Sequence, residues 1–339
     1  MTNQPEIPGM TREQLQLALR LESIFMPQAK RQRFQAGFGD DLGLEPTRFV
    51  HYTSAEAALN IVKTKRMWMR NTTCMSDYRE VQHGLAIIRN FFADETNTES
   101  FLKALDACHP GVARQALDIF SRSGSTVYLN TYITSVSEHD KKEDQHGRLS
   151  MWRAFAANKT ARVAIVFRVP RFSGATLALN LMFSPVAYLT EKEAHKVMHE
   201  VIQNITGSCD FLLSVDRQIV LNTIFFMLLA AAVCLKHEGF REEREWRGIY
   251  APKFNASPLM EASTEIVGGV PQLVYKLPLD QSASPRLADL DFAKMLDRLI
   301  IGPSSYPWVM YEAFVEALTK AGCSEAGERV ITSDIPIRA

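Results

Sequence analysis

The segment from Phe49 to Glu80, FVHYTSAEAALNIVKTKRMWMRNTTCMSDYRE, carries two polar clusters where predicted strands turn into helices. The first cluster is His51-Tyr52-Thr53. A helix N-terminus presents free N–H groups that favour an anion. Thr53, with Glu56 three residues on, predicts such a helix start. His51 could bind a sugar hydroxyl there, and Tyr52 could stack on a flat ring. The structural alternative is a half-buried histidine beside an ordinary helix cap.

The second cluster, Ser76-Asp77-Tyr78-Arg79-Glu80, has the spacing of a helix start. Asp77 and Glu80 predict a capping box, and such a cap stabilises a helix by about 1 kcal/mol. The functional alternative directs one of the two carboxylates towards a cleft beside His51. Both alternatives predict a helix that begins near residue 80.

A third cluster, Glu242–Arg247, combines carboxylates, guanidinium groups and an indole. If Glu245-Trp246-Arg247 enters a strand, alternation puts Glu245 and Arg247 on one face and Trp246 on the other. A carboxylate beside a guanidinium suits either a structural ion pair or the polarisation of a sugar hydroxyl. The charge run Glu242–Arg244 alone would suit a solvated surface, but the indole that follows indicates a packed strand.

Hydroxyl and aromatic side chains in the middle of the chain could line the same pocket. Ser135 and Ser137 belong to Thr134-Ser135-Val136-Ser137, near the end of a strand predicted from Thr126, and Trp152 and Arg153 lie on a predicted short helix. Ordinary strand hydroxyls and a core tryptophan are the structural alternatives.

Composition excludes several other kinds of site. The five cysteines are far apart and form no CxxC pair, which argues against a zinc ribbon or a disulfide scaffold and indicates a reducing, cytoplasmic location. His195 and His199 are spaced for a helical metal pair, but no third ligand is near them, so we expect no metal. With 38 basic and 38 acidic residues the net charge is zero, which argues against strong nonspecific binding of nucleic acid.

The pattern of elements predicts an α+β protein with a mixed, mostly antiparallel central sheet flanked by helices. Residues 1–45 form a predicted N-terminal helical arm that opens with a capping box at Thr11 and Gln14. Residues 46–339 form a single predicted α+β domain. The apolar run Ile219–Leu235 is at the short edge of membrane-span length, and the absence of a second such run favours a buried core helix.

The order of short motifs resembles the bacterial Domain of Unknown Function 2971 family, from about Phe49 to Arg338. The motifs run HYTS, Met67-Trp68-Met69, SDxxE, TSVS, MWRAFA, VAIVF, EREWR, RLIIGP and SDIPIR. This resemblance implies a soluble bacterial protein and leaves the reaction open. The start of the domain also looks like that of ADP-ribosyltransferase folds, which keep a histidine on the first strand, a Ser-Thr-Ser element on a middle strand and a glutamate on a later one.

That second resemblance implies an ADP-ribosyltransferase or NAD glycohydrolase that uses NAD as its substrate. His51 would orient the nicotinamide ribose, Tyr52 or Trp152 would stack on the nicotinamide, and Glu245 would hold the 2′-hydroxyl and stabilise developing positive charge. Arg247 or Arg153 would hold a phosphate. We expect His51 and Glu245 to converge on one concave pocket.

Two other classes of function stay open. One is a non-catalytic nucleotide- or ligand-binding module in phage defence or a stress response. The other is a structural interaction protein whose N-terminal arm makes a homo-oligomer. No membrane partner is expected for any of the three.

Overall fold

The structure is a computed structural model, which describes residues 11–37, 47–75, 80–154, 161–169 and 174–336. Ser76 and Asp77 lie outside these ranges, so their predicted roles stay predictions. The helices in the described residues are α1 Arg12–Phe25, α2 Pro27–Gln35, α3 Ala55–Thr64, α4 Glu80–Ala93, α5 Glu95–Asp106, α6 Val112–Arg122, α7 Gly124–Leu129, α8 Leu149–Ala154, α9 Gly174–Ala178, α10 Glu191–Gly207, α11 Cys209–Leu213, α12 Arg217–Cys234, α13 Phe292–Met295, α14 Pro307–Lys320 and α15 Ala326–Arg329. The strands are β1 Thr47–Ser54, β2 Arg66–Asn71, β3 Tyr132–Glu138, β4 Arg162–Val169, β5 Met182–Pro185, β6 Ala187–Tyr188, β7 Leu235–Lys236, β8 Glu245–Tyr250, β9 Glu261–Val267, β10 Val270–Pro278, β11 Leu296–Ile301 and β12 Val330–Thr332.

Ten of these strands form one sheet in the order β12-β11-β4-β1-β3-β2-β10-β9, with β8 paired to both β3 and β5. The β11–β12 pair is parallel and every other pair in this sheet is antiparallel. The predicted mixed, mostly antiparallel sheet flanked by helices is therefore confirmed.

Strand β3 is where the sheet divides. One edge of β3 pairs with β8 from Tyr132 to Ser137. Its other edge pairs with β1 only at Ser137 and Glu138, and with β2 only at Tyr132 and Ile133. In the part of the chain that the structure describes, residues 134–136 have no strand partner on that second edge, so β1 and β2 leave a notch between them.

Successive residues of the sheet point into two different cores. Ile133 and Ile249 pack against the large helical layer that contains α1, α4, α5, α6, α10 and α12. Tyr132 and Tyr250, one position away, pack on the other face with α3, α13 and α14. This alternation is the period of two expected for a strand, and it means that the face a side chain occupies can be read from the strand registers.

The N-terminal helices belong to the main core. Helix α1 opens with the predicted capping box, in which Thr11 and Gln14 bond to each other's backbone N–H groups. Its Leu21, Ile24 and Phe25 side chains are buried in the large helical layer. The predicted arm thus packs on the domain that follows it.

The apolar helix α12 is a core helix, as predicted. Among the described residues it is the one helix long and apolar enough to cross a membrane, and 61% of it is buried inside the protein.

The expected start of the strand that contains Ser135 and Ser137 was wrong. The strand predicted from Thr126 begins only at Tyr132, because the preceding residues Gly124–Leu129 form α7.

Gly84 sets how closely α4 approaches α12. A Cβ atom at this position would lie 2.8 Å from the carbonyl carbon and 2.9 Å from the Cα atom of Ala232, and would overlap the carbonyl oxygen as well. Those atoms are backbone and cannot move aside as a flexible side chain could. The close approach fixes the start of α4, which carries Glu80, relative to the end of α12.

We expect Gly84→Ala to destabilise the protein by about 2 kcal/mol, since overpacking against backbone outweighs the better helix propensity of alanine. Urea unfolding at pH 7 measures this loss. Gly124→Ala is the matched control, because a Cβ there meets no atom within 4 Å. Equal stability of the two variants would contradict the packing described for Gly84.

Candidate functional site

The β3–β8 register gathers the predicted hydroxyl and charged residues. Ser137 lies opposite Glu245, and Ser135 lies opposite Arg247. Residues directly opposite in an antiparallel pair share a face, so all four side chains leave the sheet on the side of the helical layer. The predicted pairing of Glu245 with Arg247 on one face, with Trp246 on the other, is what this register gives.

Both carboxylate oxygens of Glu245 accept hydrogen bonds from protein groups. Its Oε1 atom accepts hydrogen bonds from Ser135 Oγ at 2.5 Å and from Arg247 Nε at 2.8 Å. Its Oε2 atom accepts from an Nη atom of Arg247 at 3.0 Å and from Lys236 Nζ at 3.3 Å. The residue is 6% exposed. Each carboxylate oxygen thus has two protein donors and little contact with solvent.

Arg247 connects this strand to two helices. Its guanidinium donates to Glu80 at the start of α4 and to the carbonyl oxygen of Val233 at the end of α12, in addition to Glu245. Lys236, just after α12, bonds to Glu80 and Glu243 at 2.7 Å each. We call Glu80, Lys236, Glu243, Glu245 and Arg247 the buried ion network.

The ion network shifts the pKa values of its members. Burial alone would raise the pKa of Glu245, but Arg247, Lys236 and the Ser135 hydroxyl outweigh burial and lower it to about 2. Burial would lower the pKa of Arg247, but Glu245 and Glu80 raise it well above its usual value. The pKa of Glu243 is raised, first by burial and then by the neighbouring carboxylates. At neutral pH, Glu245 and Arg247 are therefore a charged pair inside the protein.

His51 is on the other face of the sheet. It lies opposite Ile165 of β4, whose side chain is in the second core. Its neighbour Val50 lies opposite Ser137 and shares the face of Glu245. The expected convergence of the His51 and Glu245 side chains on one pocket is therefore wrong. His51 follows Val50 directly on β1, and neighbouring residues of a strand point to opposite faces of the sheet.

One backbone group still connects the two residues. His51 Nδ1 is 2.9 Å from the carbonyl oxygen of Ser135, inside the notch of β3, which fits an Nδ1–H donor. The side chain of the same serine donates to Glu245. Burial lowers the pKa of His51, so the imidazole is neutral at pH 7. His51 thus supports β3 from its open edge.

Tyr52 and Trp152 do meet, as an aromatic pair. Their ring centroids are 4.9 Å apart in an edge-to-face arrangement, and both are buried. The hydroxyl of Tyr52 accepts a hydrogen bond from the backbone N–H of Arg148 at 2.7 Å. Burial raises the pKa of Tyr52 to about 12. Neither ring presents an open face of the kind that stacking on a ligand needs.

The remaining predicted residues are dispersed. Thr53 is a half-buried strand residue, and the cap of α3 is Ser54, whose hydroxyl accepts from Ala57 N–H at 3.2 Å; the predicted Thr53 cap is wrong by one position. Arg153 is exposed on α8. Glu80 begins α4 and is a member of the ion network, while Asp77 lies outside the described residues.

Several residues of the site were not predicted from sequence. Lys236, which directly follows the apolar run Ile219–Leu235, bonds to three carboxylates. Tyr188 accepts a hydrogen bond from the backbone N–H of Glu245 at 2.9 Å. A lysine that follows an apolar helix directly is the one local signal that pointed to a buried cation.

An open cleft of about 410 Å³ lies beside the start of β8. Helix α2 forms one wall and the segment before β8 forms the other, with apolar side chains between them. The cleft residues used below are Gln28, Gln32 and Gln35 on α2, Tyr188, Arg241 and Arg244 opposite, and Pro185, Leu189 and Trp246 between them. This volume is in the range of small-molecule sites.

Two side chains in the cleft, those of Gln32 and Arg241, could make further hydrogen bonds or ion pairs. Gln32 donates from Nε2 to the carbonyl oxygen of Val186 at 2.9 Å, but its buried Oε1 atom has no hydrogen-bond partner among the described residues. Arg241 donates to the carbonyl oxygen of Tyr188 at 3.1 Å and makes no ion pair in the described part of the chain. By contrast, Arg244 is paired with Asp140 and Glu143 at 2.6 Å each.

A family model described as "Protein of unknown function (DUF2971)" matches residues 151–248. The predicted DUF2971 resemblance is confirmed. The match begins in α8 and ends in β8, so it contains Trp152, Lys236, Glu245 and Arg247. No curated protein and no solved structure matches the chain. The resemblance to ADP-ribosyltransferases stays a prediction.

We expect Glu245→Ala to destabilise the protein by about 3–5 kcal/mol, since it leaves Arg247 and Lys236 buried with one carboxylate fewer. Urea unfolding at pH 7 measures the effect. Glu242→Ala, in the same segment but exposed, is the matched control and should unfold as the wild type does. A small loss in Glu245→Ala would mean that the carboxylate is not needed to hold the network.

Acid should weaken the same contacts. The pKa of Glu245 falls from an ordinary value of 4.5 to about 2 on folding. Its stabilisation is therefore complete above pH 4.5 and is lost as the pH falls towards 2, a total of about 3 kcal/mol. Other carboxylates contribute to acid unfolding too, so the test compares the wild type with Glu245→Gln between pH 5 and pH 2. The wild type should lose more stability over this interval; parallel curves would contradict the assignment.

Proposed function

We propose that this protein is a non-catalytic module that binds a small, negatively charged ligand of the nucleotide class in the cleft between α2 and β8. The observation that carries the proposal is the buried Oε1 atom of Gln32, which has no hydrogen-bond partner among the described residues. Buried polar atoms nearly always have a partner, and the side chain that carries this atom lines the cleft. A ligand N–H or O–H group would supply the missing donor.

Three glutamates and two arginines line the cleft, and Arg241 is the charge available to an anion. Glu138 accepts from the indole N–H of Trp246 at 2.9 Å, and Glu193 accepts from Thr190 at the start of α10, so both carboxylates already have protein donors. Arg241 keeps its charge without an ion-pair partner among the described residues. A guanidinium can bind a phosphate through two parallel hydrogen bonds, and Arg241 is exposed enough to reach one.

The apolar side chains and amides suit the rest of such a ligand. Pro185 and Leu189 provide apolar contact, while Gln28 and Gln35 offer both donors and acceptors from α2. Apolar contacts would suit a base, the amides would suit a sugar, and Arg241 would suit a phosphate. The ion network stays outside this role, because the carboxylate oxygens of Glu245 are already filled by Ser135, Arg247 and Lys236.

Binding is tested with a set of nucleotides that includes ATP, NAD and ADP-ribose, by thermal shift and calorimetry. At least one should raise the melting temperature of the wild type. Arg241→Ala should weaken that ligand at least tenfold, since one charge-assisted hydrogen bond stabilises by about 1.5–3 kcal/mol. Arg286→Ala removes an exposed arginine from a different part of the fold and should bind as the wild type does. Equal binding by both variants would place the ligand elsewhere, and no shift with any nucleotide would reject the proposal.

A second candidate is the NAD-using enzyme, and one observation favours it. Ser135 bonds to His51 through its carbonyl oxygen and to Glu245 through its hydroxyl, so the histidine, serine and glutamate of the predicted pattern form one hydrogen-bonded chain. For turnover, Glu245 would have to exchange a protein donor for a ribose hydroxyl.

Free nicotinamide separates the two candidates. The wild type is incubated with NAD, and nicotinamide is measured by chromatography. The binding proposal predicts thermal stabilisation without nicotinamide. The enzyme predicts nicotinamide that is lost in folded Glu245→Gln.

A further inference from the structure

Two cysteines far apart in the sequence meet in the helical layer. Cys108 follows the C-terminus of α5, and Cys209 is the first residue of α11. Their Sγ atoms are 2.7 Å apart, although 101 positions separate them in the chain. Both are free thiols. Nothing in the ion network or the cleft uses either of them.

The surrounding contacts hold the two cysteines in register. His109, next to Cys108, has Nε2 2.8 Å from the carbonyl oxygen of Leu212, within α11. Cys108 also lies 3.6 Å from the carbonyl oxygen of Ala104, one turn back in α5. The contact between His109 and Leu212 thus joins the two helix ends independently of the sulfur atoms, so the thiols stay adjacent while reduced.

The two thiols differ in accessibility. Cys108 is 3% exposed, whereas Cys209 is only half-buried. Burial, followed by the contact with Cys209, raises the pKa of Cys108 to about 12, which keeps that sulfur protonated and makes it a poor first target for an oxidant. A small oxidant therefore reaches Cys209 first, and Cys108 is the adjacent thiol that can resolve the product.

A metal site would use the same sulfur atoms, but its other ligands are missing. Among the described residues no group of three or more His, Cys, Asp or Glu side chains could hold a metal ion. The adjacent imidazole of His109 is directed to a backbone carbonyl oxygen instead. Two thiols in contact without further ligands favour oxidation over metal binding.

We propose that Cys108 and Cys209 are a redox modification site, at which a peroxide converts the two thiols into a reversible disulfide between α5 and α11. The Cys209 thiol gives up its proton as its sulfur attacks one peroxide oxygen, which gives a sulfenic acid. The other peroxide oxygen leaves as hydroxide, takes up that proton and departs as water. Cys108 sulfur then attacks the Cys209 sulfur and displaces its hydroxyl, which leaves as a second water with the proton of Cys108. Two thiols and one hydrogen peroxide give one disulfide and two waters, and a dithiol reverses the bond by exchange.

The bond closes a loop of about 100 residues. Cross-linking a loop of that size restricts the unfolded chain strongly, so the oxidised protein should melt several degrees higher than the reduced protein. In a reducing compartment the pair would stay as thiols until peroxide rises.

The test oxidises the full chain with a small excess of hydrogen peroxide, blocks the remaining thiols with an alkylating agent, and maps the cysteines by mass spectrometry without reduction. We expect a peptide pair joined at Cys108 and Cys209, a higher melting temperature, and full reversal by dithiothreitol. Cys74→Ser, which removes another partly buried cysteine, is the matched control and should form the same bond.

Cys209→Ser should abolish both the bond and the thermal shift. In Cys108→Ala, Cys209 should accumulate as a sulfenic acid that dimedone traps. The proposal is overturned if both cysteines remain alkylatable after peroxide, or if wild-type Cys209 is trapped by dimedone as fully as in Cys108→Ala. Because Cys209 is only half-buried, its serine variant keeps the test valid even where Cys108→Ala does not fold.

Discussion

The structure depends on the charged pair of Glu245 and Arg247, which is buried where the sheet meets α4 and α12. Moving two charges out of water is costly, and their attraction offsets that cost only if every remaining donor and acceptor is satisfied. Here the remaining hydrogen bonds of the pair are made by Ser135, Lys236, Glu80 and the carbonyl oxygen of Val233. Because those partners come from β3, α4 and the end of α12, satisfying the pair fixes how the sheet and two helices meet.

This requirement explains features that otherwise look unrelated. Gly84 lets α4 approach the backbone of α12 closely enough for Glu80 to reach Arg247. The His51 imidazole bonds to the carbonyl oxygen of Ser135 at the open edge of β3, and the hydroxyl of the same serine donates to Glu245. The cleft opens beside the start of β8, so the buried ion network lies next to one of its walls, and α2 forms the opposite wall.

The sequence predicted those features that depend on local periodicity. Alternation placed Glu245 and Arg247 together, and the length of the apolar run identified α12 as a core helix. It did not predict features that depend on register between distant strands. Whether His51 faces Glu245 is decided by the pairing of β1 with β3, and a shift of one residue reverses that answer. The cleft wall on α2 and the contact of Lys236 with Glu80 likewise arise from contacts across more than a hundred residues, which leave no local pattern.

The most direct test of the ion network is a double-mutant cycle on Glu80 and Arg247. Glu80→Gln, Arg247→Met and the combined variant are unfolded in urea at pH 7 beside the wild type. If the network joins α4 to β8, the combined loss should differ from the sum of the single losses by about 1–3 kcal/mol. Additivity within about 0.5 kcal/mol would show that the two side chains do not interact, and would contradict this account of the fold.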